Sequence, residues 1–411
     1  MIEPDLPPPS IPVLFPAPRR LFLKSLAAGV GALATGGPLS AQAPRALIGP
    51  KATLPYRGPN VIIVRFGGGV RRRETIDPEH TYAPFLCHEM TQRGTLFNTM
   101  EITSLKGVET SHGQGTLHIL TGKYEHYTDV SGQFLGERFE AKVPTVFEYL
   151  RKQYEVPTHQ TLIVNGEDRT QEEFYTFSNH HLFGVHYRSN VLSLYRFKTY
   201  LLRRQIEAGL GPEKELANQK AALAKLEAVD YRTRGDDLQG AEIKQFWERW
   251  QRYYGETGLV NPRGDRLLTE LSIRALKELR PRLLMVNYND PDYVHWGNMT
   301  HYTRGIAIID EGLRQLVATV EADEEYRNNT VFVIVPDCGR DTNPLASVPC
   351  QHHFGSRSSH EIFALLVGPG IVRGAVVDRL ADQSSIATTV GRIMGFHAVQ
   401  AEGPVLAEAF V

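Results

Sequence analysis

Asn60-Val61-Ile62-Ile63-Val64-Arg65-Phe66 is a largely apolar run, closed by Pro59 on one side and by Gly67-Gly68-Gly69 on the other. Its β-branched content and its length fit a buried parallel strand, because a strand covered on both faces reads as a continuous apolar run rather than an alternating one. Runs of the same kind recur at Thr161–Asn165, Arg282–Tyr288 (RLLMVNY), Thr330–Val335 (TVFVIV) and Glu361–Val367 (EIFALLV), with a further strand at about Leu96–Ile102. Helical patterns lie between them: about Tyr82–Arg93, His112–Thr121, Thr145–Gln153 with Pro144 near its start, Tyr302–Glu321, and Ser384–Met394 closed by Gly395 as a C-cap. Strands alternating with helices predict an α/β fold, a mainly parallel central sheet with helices on both faces.

The stretch from about 189 to 278 changes character. Leu216, Leu223 and Leu226 sit among Ala, Lys and Glu, and Trp247, Trp250 and Tyr253 share helical spacing. That pattern predicts a helical insertion packed on the α/β body. With 411 residues, 42% hydrophobic and 22% charged, the chain has enough apolar content for a large core. Lys plus Arg number 45 and Asp plus Glu 46, a balance that argues against a nucleic-acid partner. The three cysteines, Cys87, Cys338 and Cys350, form neither a disulfide framework nor a CxxC zinc motif.

The first 43 residues read as an address rather than as fold. Arg19-Arg20-Leu21-Phe22-Leu23-Lys24 precedes a mildly apolar run from Ser25 to Leu39, and Ala41-Gln42-Ala43 ends it with a small-residue cleavage pattern. The paired arginines resemble a twin-arginine signal, although Pro18 stands where Ser or Thr is usual. The expectation is a protein exported folded to the periplasm or beyond, starting near Pro44 and carrying no integral membrane segment in its mature part.

In open α/β sheets, ligands bind beyond the carboxyl ends of the strands. The segments at those strand ends are rich in metal-ligand types. Asp290, Asp292 and His295 come after Tyr288; Asp337-Cys338-Gly339-Arg340-Asp341 comes after Val335; Thr110-Ser111-His112 comes after the strand near Ile102; and Gln351-His352-His353 precedes the last strand. Each alone is also what a helix cap or a turn requires. Together, carboxylates and imidazoles suit Zn²⁺ or Mn²⁺, and a thiolate favours Zn²⁺.

In this order the residues resemble the alkaline phosphatase superfamily, which includes sulfatases, phosphodiesterases and cofactor-independent phosphoglycerate mutases. The resemblance covers most of Asn60 to Phe396. It rests on the first strand, on Leu120-Thr121-Gly122 ending a helix, and on Asp292 followed by His295. Further along it rests on the helix through Asp310, on Asp337-Cys338-Gly339 in place of Asp-His-Gly, on His352 or His353, and on Gly368-Pro369-Gly370. It implies two metal sites. Asp292, His295 and His352 or His353 match one of them. The other keeps Asp337, with Cys338 where a His is usual and glycine where the first strand should deliver an Asp. Spacing back from Leu-Thr-Gly puts His112 at the nucleophile position, with Thr110 and Ser111 just before it. No Cys-x-Pro-x-Arg is present, which disfavours a formylglycine sulfatase.

The resemblance implies a metal-dependent hydrolase of phosphate or related esters, holding one or two divalent ions. Zinc is expected, with manganese an alternative. The substrate would be a small-molecule or glycan- or lipid-linked anionic ester, with Arg71, Arg72 or Arg73 pairing to its anion. The altered positions leave open a member without catalysis that binds or scaffolds in the envelope, and a phospho-group transferase acting on glycans or lipids.

Overall fold

The computed structural model describes residues 54–103, 110–129, 138–167, 169–209, 211–230, 240–255, 264–295, 298–342, 350–352 and 356–411. The export signal and His353 lie outside the described residues.

Among the described residues, the elements begin with β1 (Asn60–Arg65), the short α1 (Arg72–Thr75), β2 (Gly94–Glu101) and α2 (His112–Thr121). A small hairpin, β3 (His126–Asp129) and β4 (Arg138–Ala141), precedes α3 (Val146–Gln153), β5 (Thr161–Asn165) and β6 (Asn190–Leu192). Four helices come next: α4 (Leu194–Ala208), α5 (Glu213–Glu227), α6 (Ala241–Tyr254) and α7 (Asp265–Leu279). The remainder is β7 (Leu283–Asn287), α8 (Met299–Glu321), β8 (Thr330–Val335), α9 (Arg357–His360), β9 (Glu361–Val367), β10 (Ala375–Val377), β11 (Ala381–Asp382) and α10 (Ser385–Met394).

Nine of the described strands form one sheet in the order β10-β2-β9-β8-β1-β7-β5-β6, with β11 beside β2. β1 sits between β7 and β8, parallel to both, which explains its unbroken apolar sequence. The exception to parallel order is β9, antiparallel to β8 and β2. Its reversal matters for the site. The segment preceding an antiparallel strand arrives at the same rim that the parallel strands leave, so residues 350–352 and Ser359 join the loops after β1, β7 and β8.

Side chains alternate across the sheet. Ile62 and Val64 of β1 join a core with α4, α6, α7 and α8, while Val61 and Ile63 join one with α2, α3 and α10. Trp247 and Trp250 are buried in the first of these cores, so α6 packs as part of the body. α5 buries no residue. α10 ends at Gly395 in the left-handed conformation, φ 77°, as its C-cap position requires. The stretch Tyr82–Arg93 does not form a continuous α-helix: a π-turn covers Phe85–Met90 and a 3-10 turn Thr91–Arg93. Asp310 of α8 fixes its start, accepting from the backbone N–H of Phe85 (2.9 Å) and Leu86 (2.8 Å). No helix among the described residues is long and apolar enough to cross a membrane.

Candidate metal centre

β7 ends at Asn287, and the chain is clamped at once. The buried Asp265 carboxylate at the start of α7 accepts from the backbone N–H of Asn289 (3.0 Å) and Asp290 (2.7 Å). A 3-10 turn, Asp290–Val294, comes next with Pro291 at its start. Three residues per turn place positions i and i+3 on one side, so Asp292 and His295 share a face, with His295 Nε2 2.7 Å from Asp292 Oδ1. α8 packs tightly beneath, since a Cβ on Gly305 would lie 2.6 Å from the nitrogen of Pro291.

α2 begins on the opposite side of this point. Ser111 caps it, accepting from the N–H of Gln114, and His112 is its first residue. Gly115 lets the helix press against the exit of β8, because a Cβ there would meet Asp337 O at 2.2 Å. The His112 ring is thereby held between two carboxylates, with Nδ1 2.6 Å from Asp337 Oδ2 and Nε2 2.8 Å from Asp292 Oδ1. His352 adds a third ring. Its Nδ1 is bonded to Thr110 O, and its Nε2 lies 3.6 Å from Asp292 Oδ1. The ring centroids of His112 and His352 are 4.2 Å apart, and those of His295 and His352 5.2 Å.

The outer nitrogens decide what the inner ones are. Asp337, Gln351 (Oε1 2.9 Å from His295 Nδ1) and the Thr110 carbonyl each accept from an Nδ1–H. That leaves three Nε2 atoms directed at one carboxylate oxygen, the arrangement that outer hydrogen bonds impose on metal-ligating histidines. Nitrogens so gathered around a carboxylate need a proton or a metal ion among them. The ligand atoms of His112, Asp292, His295 and His352 all lie within 4.8 Å of one another, so the donor set fits zinc.

Without a metal, the electrostatics put a proton at that point. Burial alone would raise the Asp292 carboxyl, but the imidazoles around it hold it well below its usual value. Asp337 is held low in the same way, against burial, by His112 and Arg65. Burial would lower His112, and the two carboxylates raise it well above its usual value.

Two guanidinium groups complete the cluster, and neither stood out in the sequence. Arg340, fully buried, donates from Nε to Gly68 O (3.0 Å) and Gly69 O (2.7 Å), from Nη1 to Cys350 O (2.6 Å), and from Nη2 to Asp292 Oδ1 (2.7 Å). Arg65, also fully buried, ends β1. It donates from Nη1 to Thr116 Oγ1 (2.6 Å) and Glu167 Oε2 (2.7 Å), and from Nη2 to Tyr288 O (2.9 Å). Its one sequence signal was a charge inside an otherwise apolar strand.

Cys338, Asp337 and His112 form a second group of potential ligands. The Cys338 sulfur lies 3.9 Å from His112 Nδ1, and burial pushes its thiol up to about 11. The remaining expected site residues are occupied elsewhere. The Thr110 hydroxyl donates to His352 O and lies 3.0 Å from Ser359 Oγ, and Ser111 is the helix cap. Arg71 pairs with Glu74 (2.7 and 2.5 Å), and Arg72 donates to the backbone carbonyls of Ile362 (2.9 Å) and Met100 (3.3 Å). These local carboxylate and carbonyl partners take up the guanidinium donors that were expected to meet a substrate anion. The exposed Arg73 instead lines a cleft of about 490 Å³ with Arg71, Met299 and Thr300. Tyr302 links that cleft to the cluster, accepting from the Arg71 N–H (2.8 Å) with its ring 5.9 Å from the Arg340 guanidinium.

No protein-family profile and no curated protein sequence matches the chain. Solved structures do. Wild-type alkaline phosphatase PafA superposes with a TM-score of 0.53 at 11% identity, over 86% of this chain and 99% of its own. A protein in the alkaline phosphatase superfamily from Vibrio parahaemolyticus gives 0.49 at 13%, over 87% and 71%. Phosphonate monoester hydrolase of Agrobacterium radiobacter gives 0.49 at 14%, over 85% and 76%. The likeness is one of architecture: the chain has an alkaline phosphatase-like fold.

Proposed function

We propose that this alkaline phosphatase-like chain is an exported metal-dependent hydrolase of phosphate or related anionic esters. The observation that carries the reading is the convergence of the Nε2 atoms of His112, His295 and His352 on Asp292 Oδ1, each ring fixed from behind through Nδ1. Asp292, His295 and His352 would hold the ion, with zinc favoured by the nitrogen-rich donors and manganese the alternative. When bound, the metal would supply Lewis-acid polarisation of an ester oxygen.

The chain's own groups supply the rest. His112 presents Nε2 to the same point, and Asp337 holds its Nδ1–H and stabilises the ring when it gains a proton. That is the arrangement of a general base acting on water. It fits the nucleophile position implied by the resemblance better than Thr110 or Ser111, whose hydroxyls are committed to structure. Arg73 gives the cleft an exposed cation to meet an anionic ester. The twin-arginine pattern at Arg19-Arg20 supports export.

The test is hydrolysis of aryl phosphate mono- and diesters and aryl sulfates by the metal-loaded full chain. His295→Ala should lose both metal and turnover, and His112→Ala turnover alone. Full turnover in His295→Ala would end this reading. A second reading, a binding protein without catalysis, draws on the engagement of both candidate hydroxyls. Failure to bind metal together with failure to turn over any of these esters would favour it.

A further inference from the structure

We infer that Arg65 takes the place of the second metal ion of the two-metal pattern: its guanidinium is the counter-charge of Asp337, and the chain loads a single metal ion.

Three observations carry this. Arg65 Nη1 lies 3.6 Å from Asp337 Oδ2 while bonded to Glu167, so one buried cation serves two buried carboxylates. Glu167 is itself held by the Tyr175 hydroxyl at 2.8 Å. Next, the acceptor positions of Asp337 are taken. Oδ1 accepts from the N–H of Gly69 (3.1 Å) and Cys338 (2.8 Å), and Oδ2 from His112. A metal would have to displace two backbone N–H donors, which cannot turn aside as the side chains around Asp292 can.

The third observation concerns the missing first-strand carboxylate. A Cβ on Gly67 would fall 2.0 Å from Tyr288 O and 2.7 and 2.8 Å from Nη2 and Nε of Arg65. A Cβ on Gly69 would meet Gly339 O at 3.0 Å and the Cys338 sulfur at 3.2 Å. The space from which a side-chain ligand would project is filled by the arginine and by backbone. The glycines and Arg65 therefore form one compensated change. Across the cluster, Asp292, Asp337 and Glu167 face two guanidinium groups, Arg65 and Arg340. Arg340 lies on Asp292, and Arg65 lies between Glu167 and Asp337, so each of these carboxylates has a fixed cation within reach.

The inference deepens the hydrolase reading and is tested separately from it. Metal-stripped full chain is dialysed against excess zinc, and the bound metal counted. In parallel it is titrated with cobalt(II), whose absorption reports thiolate ligation. The expected result is one equivalent of zinc and no thiolate-to-cobalt charge-transfer band. Two equivalents, with a charge-transfer band lost in Cys338→Ser, would overturn it. Binding no metal at all would overturn both the hydrolase reading and the single ion inferred here, whereas two equivalents overturn the inference alone. Arg65→Met keeps most of the volume and removes the charge. It should melt at lower temperature and gain no stability from zinc beyond that seen in wild type, while Arg65→Lys recovers part of the loss. An Arg65→Met protein as stable as wild type would also overturn the inference, and if it fails to fold, the metal count of the unmodified chain still decides.

Discussion

His112 Nδ1 lies 2.6 Å from Asp337 Oδ2, and neither partner is free to turn away. Asp337 is pinned by two backbone N–H groups, and His112 is the first residue of a helix whose Gly115 rests on Asp337 O. The contact keeps a proton on Nδ1 and so directs Nε2 at Asp292. Asp337→Asn would keep the shape but present an amide that can hold the ring in the wrong tautomer. We expect turnover to fall by about 10²–10⁴-fold with zinc still bound. Steady-state kinetics together with metal analysis check both halves.

Gln351 does for His295 what Asp337 does for His112, through a bond of 2.9 Å. Gln351→Leu should weaken zinc binding by about 10–100-fold, the usual cost of losing an outer hydrogen bond to a ligating histidine. Competition with a fluorescent chelator measures it, and an unchanged affinity would show that Gln351 does not orient the ring.

Gly67 is predicted to be intolerant of any side chain. The nearest obstacle to a Cβ, at 2.0 Å, is the Tyr288 carbonyl, which is backbone and cannot rotate aside. Gly67→Ala should destabilise the fold by about 1–3 kcal/mol, read from urea unfolding. Zinc affinity should fall too, because the displacement is delivered to the loop that carries Asp292.

Acid stability should depend on His118, which lies in α2 outside the cluster. Burial, then the neighbouring His126, lowers its pKa from 6.5 to about 3, although Gln383 bonds to it. A histidine depressed in the folded state is protonated first in the unfolded one. Its contribution is therefore complete above pH 6.5 and is lost as pH falls towards about 3, at about 1.4 kcal/mol per pH unit. His118→Gln should flatten that limb of the stability profile. An equally steep limb in the variant would place the effect on another group.

The core strands and the chemistry-bearing loops were legible because buried parallel strands advertise themselves as apolar runs, and the residue after such a run must lie at the sheet's carboxyl rim; the strand order was not. Asp292, His295 and Asp337 were found that way. His352 was legible only as one of a pair with His353, because the deciding fact is that β9 runs antiparallel. That reversal depends on pairing partners distant in sequence. Arg65 and Arg340 were not legible. Charged groups are normally kept out of a core, and what permits these two is the set of carbonyls and carboxylates brought together by the fold. Arg72 misled for the converse reason, since a run of arginines beside a glycine loop gives no sign of the β2 and β9 carbonyls waiting to receive it, and Arg71 because Glu74, close by in sequence, takes it up at i+3.

The central claim is that one ion binds where the three imidazoles meet Asp292. Anomalous diffraction at the zinc edge from zinc-loaded crystals tests it most directly. The account predicts a peak at about 2.0–2.2 Å from Asp292 Oδ1 and from the Nε2 atoms of His295 and His352, with none beside Asp337. A map without density at that point, or with the ion on Asp337 and Cys338, would contradict it.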